Sequence, residues 1–131
     1  MKKYLLLLVA VIAIGFTVTS CSSKSVIEAG VAAENLKCPQ NLGNGMTLVK
    51  VEFSGLYVTY DIKYEYLYLI SPESIPTVKS TVIQTLRQQS QFDDTSKDLL
   101  DAMKKEGIGI IYHYYNDSGS PIDIVIESSE L

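Results

Sequence analysis

Two stretches of the chain alternate apolar and polar residues with the period of a half-buried strand. In the first, Thr47 to Phe53 and Leu56 to about Tyr64 flank Ser54-Gly55, a pair suited to a two-residue primed turn. That turn sets a register in which Phe53 faces Leu56, Val51 faces Val58, Val49 faces Tyr60 and Thr47 faces Ile62, all apolar or amphipathic. The opposite face then carries Glu52 with Tyr57, Lys50 with Thr59 and Leu48 with Asp61, mostly wet. In the second, Ile108 to Tyr115 and Ile122 to Glu127 flank Asp117-Ser118-Gly119, which suits a three-residue turn with glycine left-handed. Here Tyr114 faces Ile122, Tyr112 faces Ile124 and Ile110 faces Ile126. His113 opposite Asp123 and Ile111 opposite Val125 fall on the other side. Tyr64 to Ile70 continues the alternation and extends the first hairpin with both faces partly covered, until Ser71-Pro72 breaks it.

Between the hairpins the period changes to that of a helix. Ile75, Val78, Val82, Ile83 and Leu86 form one stripe, with Pro76 in the first turn where its missing N–H costs little. Phe92-Asp93-Asp94 interrupts. Thr95 followed by Asp98 loosely resembles a capping box, and Leu99, Leu100 and Met103 form a second stripe. Lys104 and Lys105 suit the C-terminal dipole, and Gly107 stops the helix. The order predicts an α+β fold: a four-stranded antiparallel sheet from two hairpins (ββααββ), with two helices on one face and the other face open. Lys37 to Gly45 is dense in breakers and reads as a loop. Val26 to Leu36 reads as either a short helix or a linker, and Ser22 to Ser25 as a short polar tether.

The start of the chain follows a different pattern. Lys2 and Lys3 precede an uncharged stretch from Tyr4 to Ser20, with a continuous apolar run from Leu5 to Ile14. These are the charged and apolar regions of an export signal. The run falls short of the ~20 apolar residues a membrane-spanning helix needs. It ends in Val18-Thr19-Ser20-Cys21, an aliphatic residue, two small residues and a cysteine. That tetrapeptide resembles the lipobox of bacterial lipoproteins, with Thr-Ser where Ala-Gly is commoner. The resemblance covers Met1 to about Ser22 alone. It implies diacylglyceryl transfer to the Cys21 thiol, cleavage before Cys21 and acylation of the new amino group. Two or three acyl chains hold essentially permanently, because each buried methylene contributes about 0.8 kcal/mol. The competing reading is an ordinary secretory signal or membrane anchor with a chance cysteine. The expected organisation is a signal peptide over 1–20, an anchor and short tether over 21–37, and one α+β domain over 38–131.

Composition narrows the partners. Without Lys2 and Lys3, 9 basic side chains stand against 15 acidic ones, a net charge of −6. No basic run is present, which argues against nucleic acid and against electrostatic docking to anionic lipid. The expected partners are therefore the membrane, through lipid on Cys21, and a protein of the cell envelope. With Cys21 lipidated, Cys38 is left alone, so no intrachain disulfide is expected. One histidine and one spare cysteine do not build the usual tetrahedral zinc site. Asp93, Asp94, Asp98 and Asp101 lack the spacing of a calcium loop.

Cys38, His113 and Asp123 supply the residue types of a thiol–imidazole–acid arrangement, but nothing in the sequence brings Cys38 to the other two. Cys38 reads as a packed cysteine, and the chain as a non-enzyme without metal or cofactor. What remains is the open sheet face, bearing Tyr57, Thr59, Asp61, His113, Tyr115 and Asp123 with Ile111 and Val125, a surface suited to a protein or ligand. The functional expectation is a membrane-tethered interaction or accessory module. An inhibitor or ligand-binding lipoprotein is the alternative, and a small hydrolase or redox enzyme the third. In a Gram-negative host, Ser22 after the lipidated cysteine resembles the signal for the outer membrane, with the domain in the periplasm.

Overall fold

A computed structural model describes residues 22–131. The expected leader and Cys21 lie outside the described residues. The chain opens with helix α1 (Ser23–Leu36), capped by Ser22, whose hydroxyl accepts from the Ser25 N–H at 3.4 Å. The segment read as a polar tether is thus the cap and first turn of a helix. Ile27, Gly30 and Glu34 are buried along one side of α1. The helix joins the same core as the rest of the domain.

The stretch read as a loop contains a short edge strand, β1 (Gln40–Gly43), paired antiparallel with β2 (Met46–Ser54). Asn44 and Gly45 connect them with φ of 51° and 79°. Positive φ at both central positions is the type I′ geometry for which Asn-Gly is the strongest short hairpin signal. The breakers here make a turn between strands.

β3 (Tyr57–Tyr64) follows a two-residue turn of Gly55 and Leu56, with Ser54 opposite Tyr57. Gly55 takes φ +62° at the first central position, where a type II′ turn wants glycine. The expected register is corrected by two residues: Phe53 faces Val58 and Val51 faces Tyr60. A shift of two keeps every side chain on its own face. A bulge between Leu48 and Lys50 then flips the start of β2, so that Met46 and Leu48, not Thr47 and Val49, enter the core. Leu56, expected in the core, sits at the turn and is exposed.

β3 ends at Tyr64, and the expected extension of the strand is replaced by 3-10 turns at Leu67–Leu69 and Pro72–Ser74. Helix α2 (Ile75–Phe92) buries Val78, Val82 and Leu86, the expected stripe. Helix α3 (Asp94–Glu106) buries Leu99, Leu100 and Met103. It ends in a Schellman motif: Ile108 N–H reaches the Met103 carbonyl at 2.8 Å and Gly107 N–H the Lys104 carbonyl at 3.2 Å, with Gly107 at φ +68°.

β4 (Gly109–Tyr115) and β5 (Ile122–Ile126) pair in the expected register, Tyr114 with Ile122 through Ile110 with Ile126. Their connection departs from expectation. Asn116 Oδ1 accepts from the Ser118 and Gly119 N–H groups, and Gly119 is not left-handed.

The sheet has five strands in the order β1-β2-β3-β4-β5. β3 and β4 run parallel, so the expectation of a four-stranded, wholly antiparallel sheet is corrected. The helical crossover between them makes parallel pairing possible and deposits α2 and α3 on one face. α1 joins that face, packing on β2 and α3, while α2 covers β5. Among the described residues, three helices therefore cover one side of the sheet, and no helix is long and apolar enough to cross a membrane.

Candidate interaction surface

The other face of the sheet has no helix over it. Its side chains follow from the register as rows across the strands. One row is Lys50 of β2, Asp61 of β3, His113 of β4 and Asp123 of β5. Lys50 Nζ lies 3.6 Å from Asp61 Oδ2 and 2.8 Å from Glu52 Oε1. His113 Nδ1 contacts Asp123 Oδ1. Cation, anion, imidazole and anion thus succeed one another across four strands. Hydrogen bonding to Glu52, with the charges of Glu52 and Asp61, holds the Lys50 ammonium above its ordinary pKa.

The neighbouring row towards the hairpin tip is Glu52, Thr59, Ile111 and Val125. On the other side, Thr47, Lys63 and Tyr115 align, with Lys63 Nζ 3.3 Å from Asp117 Oδ2. The His113 and Tyr115 rings lie near-parallel with centroids 5.7 Å apart. At the tip end, Tyr57 stands beside Gly109 and donates its hydroxyl to both Glu127 carboxylate oxygens at 2.8 Å. That hydrogen bond pushes the Tyr57 phenol up. A Cβ on Gly109 would meet the Tyr57 ring at 2.9 Å and the Ile126 carbonyl oxygen at 2.5 Å. Glycine is what lets the ring lie over the backbone here.

The six residues expected on this face, Tyr57, Thr59, Asp61, His113, Tyr115 and Asp123, share it in the structure. Lys50, Lys63 and Glu127 complete it. The expected register already set Lys50 on this face, but opposite Thr59 instead of Asp61. Of the described tyrosines, Tyr57 and Tyr115 are on the open face, whereas Tyr60, Tyr64, Tyr112 and Tyr114 are buried under the helices. Tyr60 stacks on Tyr112 at 5.2 Å and 17°.

Cys38 follows α1 and packs against the core, its thiol donating to the Glu34 carbonyl at 3.4 Å. Burial and the Glu34 charge push the thiol up, away from a reactive thiolate. His113 projects from the opposite side of the sheet, so the thiol–imidazole–acid arrangement does not form. Among the described residues no three His, Cys, Asp or Glu side chains converge on a metal-sized site. Asp93 instead accepts from Ser96 Oγ at 2.9 Å at the start of α3.

Helices on one side only and a charged, partly aromatic sheet on the other define a small α+β domain with one uncovered face. Neither a family model nor a curated protein matches the chain. Two solved structures share its fold. One is a Pseudomonas aeruginosa protein provisionally described as secreted, with TM-score 0.62 and 9% identity over 86% of this chain and 98% of that one. The other is EpsS, the pilotin of the Vibrio vulnificus type 2 secretion system, with TM-score 0.55 and 14% identity over 82% of this chain and 89% of that one.

Proposed function

We propose that this chain is a lipoprotein of the cell envelope, held to a membrane through lipid on Cys21, that serves as an accessory module by presenting its open sheet face to a protein partner. The observation that carries the reading is the unbroken row from Lys50 to Asp123 on a face that no described element covers. Charged and polar groups of different kinds along a row give a partner both register and steering. The lipobox-like Val18-Thr19-Ser20-Cys21 supports the anchor. The shared fold with a secretion-system pilotin supports an accessory role in an envelope assembly, and Ser22 supports the outer membrane, facing the periplasm, in a Gram-negative host. The separation of Cys38 from His113 favours binding over catalysis.

The test combines anchor and face. Cys21→Ser should leave the precursor uncleaved and without lipid. His113→Ala with Tyr115→Ala should fold almost normally, since both side chains are partly exposed, yet lose the envelope protein that the unaltered chain captures on crosslinking. Tyr57 is a poorer choice, because its hydroxyl holds Glu127 and its ring covers Gly109. A folded double variant that captures the same protein refutes the face. A Cys21→Ser chain still cleaved before residue 21 and still partitioning with detergent refutes the anchor.

A further inference from the structure

The first described residue, Ser22, is the N-cap of α1, and α1 is fixed to the sheet. At its far end the Asn35 amide clamps β2: Nδ2 donates to the Val51 carbonyl, and Oδ1 accepts from the Val51 N–H at 2.7 Å. One peptide link, about 3.8 Å between Cα atoms, therefore separates Cys21 from a rigid helix. The anchor proposed for Cys21 therefore keeps the domain close to the bilayer.

What lies around that end of α1 is specific. Lys24 in the first turn and Gly55 of the β2–β3 turn line one groove between helix and strand, so the helix start and the hairpin tip adjoin. Leu56 crowns the tip with 63% of its surface exposed. Its carbonyl accepts from Gly109 N–H at 2.8 Å, which ties the tip to the segment leaving α3. The last turn of α3 brings Lys104 and Lys105 to this pole. Neither they nor Lys24 has an ion pair among the described residues. Glu106 and Glu127 share the pole and offset much of that charge. The opposite pole holds the loops that bear Tyr66, Tyr68 and Asp117, with Tyr66 against Gly45 and Leu67 near Gly119.

We infer that the pole bearing Leu56 lies on the bilayer surface. Leu56 enters the interfacial layer, and Lys24, Lys104 and Lys105 stretch their apolar stems along it with their ammonium groups at phosphate level. The inference rests on the lipid anchor proposed for Cys21. The strands then stand along the membrane normal, and the open face is presented sideways. Its Lys63–Tyr115–Asp117 end is farthest from the lipid, about 23 Å along the seven residues of β4. A partner that docks there meets the domain from within the envelope space, not from the bilayer. Because the pole carries both signs, seating depends on the anchor and Leu56 more than on lipid charge.

The sequence contains no tryptophan, so each single replacement creates a unique probe. Leu56→Trp and Tyr68→Trp are placed in the full lipidated protein, at exposed positions of opposite poles. Each is reconstituted into phosphatidylethanolamine–phosphatidylglycerol vesicles, with or without bromine on the acyl chains. The expected result is that bromine removes most of the Leu56→Trp emission and leaves Tyr68→Trp unchanged. Replacing phosphatidylglycerol by phosphatidylcholine should not alter that contrast. Vesicle-bound protein with neither probe quenched overturns the inference and leaves the anchor standing, since the domain then hangs clear. Equal quenching of both, or quenching of Tyr68→Trp alone, overturns the orientation. Failure of the protein to float with vesicles shows that the anchor itself is wrong and removes the inference with it.

Discussion

Tyr112 is fully buried at the centre of the sheet, and its hydroxyl has no hydrogen-bond partner among the described residues. Burial and the neighbouring Tyr60 and Tyr114 drive its phenol far above the ordinary range, so the group is a neutral, desolvated hydroxyl at any working pH. A buried hydroxyl left unsatisfied costs about 1–3 kcal/mol. Tyr112→Phe removes that cost and keeps the ring stacked on Tyr60. Deleting the oxygen leaves a void of roughly 20 Å³, which at about 24 cal/mol per Å³ costs about 0.5 kcal/mol. The balance is a gain of about 1 kcal/mol. Urea unfolding of the domain, with a slope of about 1–2 kcal/mol per M, should show a midpoint higher by roughly 0.5–1 M and an unchanged slope. A midpoint that falls by a similar amount refutes the reasoning, because the hydroxyl must then be bonded in solution, for instance to an internal water. Tyr60→Phe, judged beside it, distinguishes a general tolerance of phenylalanine in this stack from the removal of one unsatisfied group.

Two further outcomes follow from single sites. Gly109→Ala forces a Cβ to 2.5 Å from the Ile126 carbonyl and should cost about 2–3 kcal/mol of stability by overpacking. Gly55→Ala meets no atom but holds φ +62°, and should cost about 1–2 kcal/mol; a smaller loss at Gly109 than at Gly55 in parallel melts defeats the steric account. Glu34 is buried with Lys37 Nζ 3.7 Å away, and desolvation outweighs that cation to raise its carboxyl. A raised acid contributes stability that is present below its unfolded pKa, near 4.5, and is lost as pH rises through the folded value. The stability difference between the unaltered protein and Glu34→Gln should therefore shift in favour of Glu34→Gln as pH rises from about 4 towards 7; a difference flat with pH contradicts it.

The extent to which the fold can be read from the residues depends on how many pairings each pattern permits. Ile110 to Tyr114 against Ile122 to Ile126 allows one register, because the even spacing sets Ile110, Tyr112 and Tyr114 against Ile126, Ile124 and Ile122 on one side. Met46-Thr47-Leu48-Val49 allows two, since apolar residues occupy both phases, and the bulge before Lys50 chooses the second. The faces of β3 survive the error because a slip of two residues preserves alternation, whereas the identity of Lys50's partner does not. Asn44-Gly45 carried a hairpin signal that the surrounding breakers masked. The parallel pairing of β3 with β4 has no local signature: it is decided by where α2 and α3 return the chain. The weak apolar pattern of α1, rich in alanine, becomes a helix because Ile27 joins the core and the Asn35 amide bonds Val51 of β2.

That contrast between the two faces bears on what the open one is for. On the helix side, burial of Tyr60, Tyr112 and Tyr114 accounts for their presence through packing alone. On the open side the same account fails. Lys50, Lys63 and Asp123 keep about half their side-chain surface in water, 51%, 45% and 55%. Ion pairs so exposed are worth about 0–1 kcal/mol, and several contribute nothing measurable. This row across four strands is therefore not what keeps the sheet folded. Uncharged threonines would pair across the strands as well. The row does, however, impose a pattern that a complementary surface can read in only one register, and a single lysine-to-glutamate change would break it by setting like charges side by side. Packing accounts for the buried tyrosines; the row from Lys50 to Asp123 is what the proposed recognition by this face draws on.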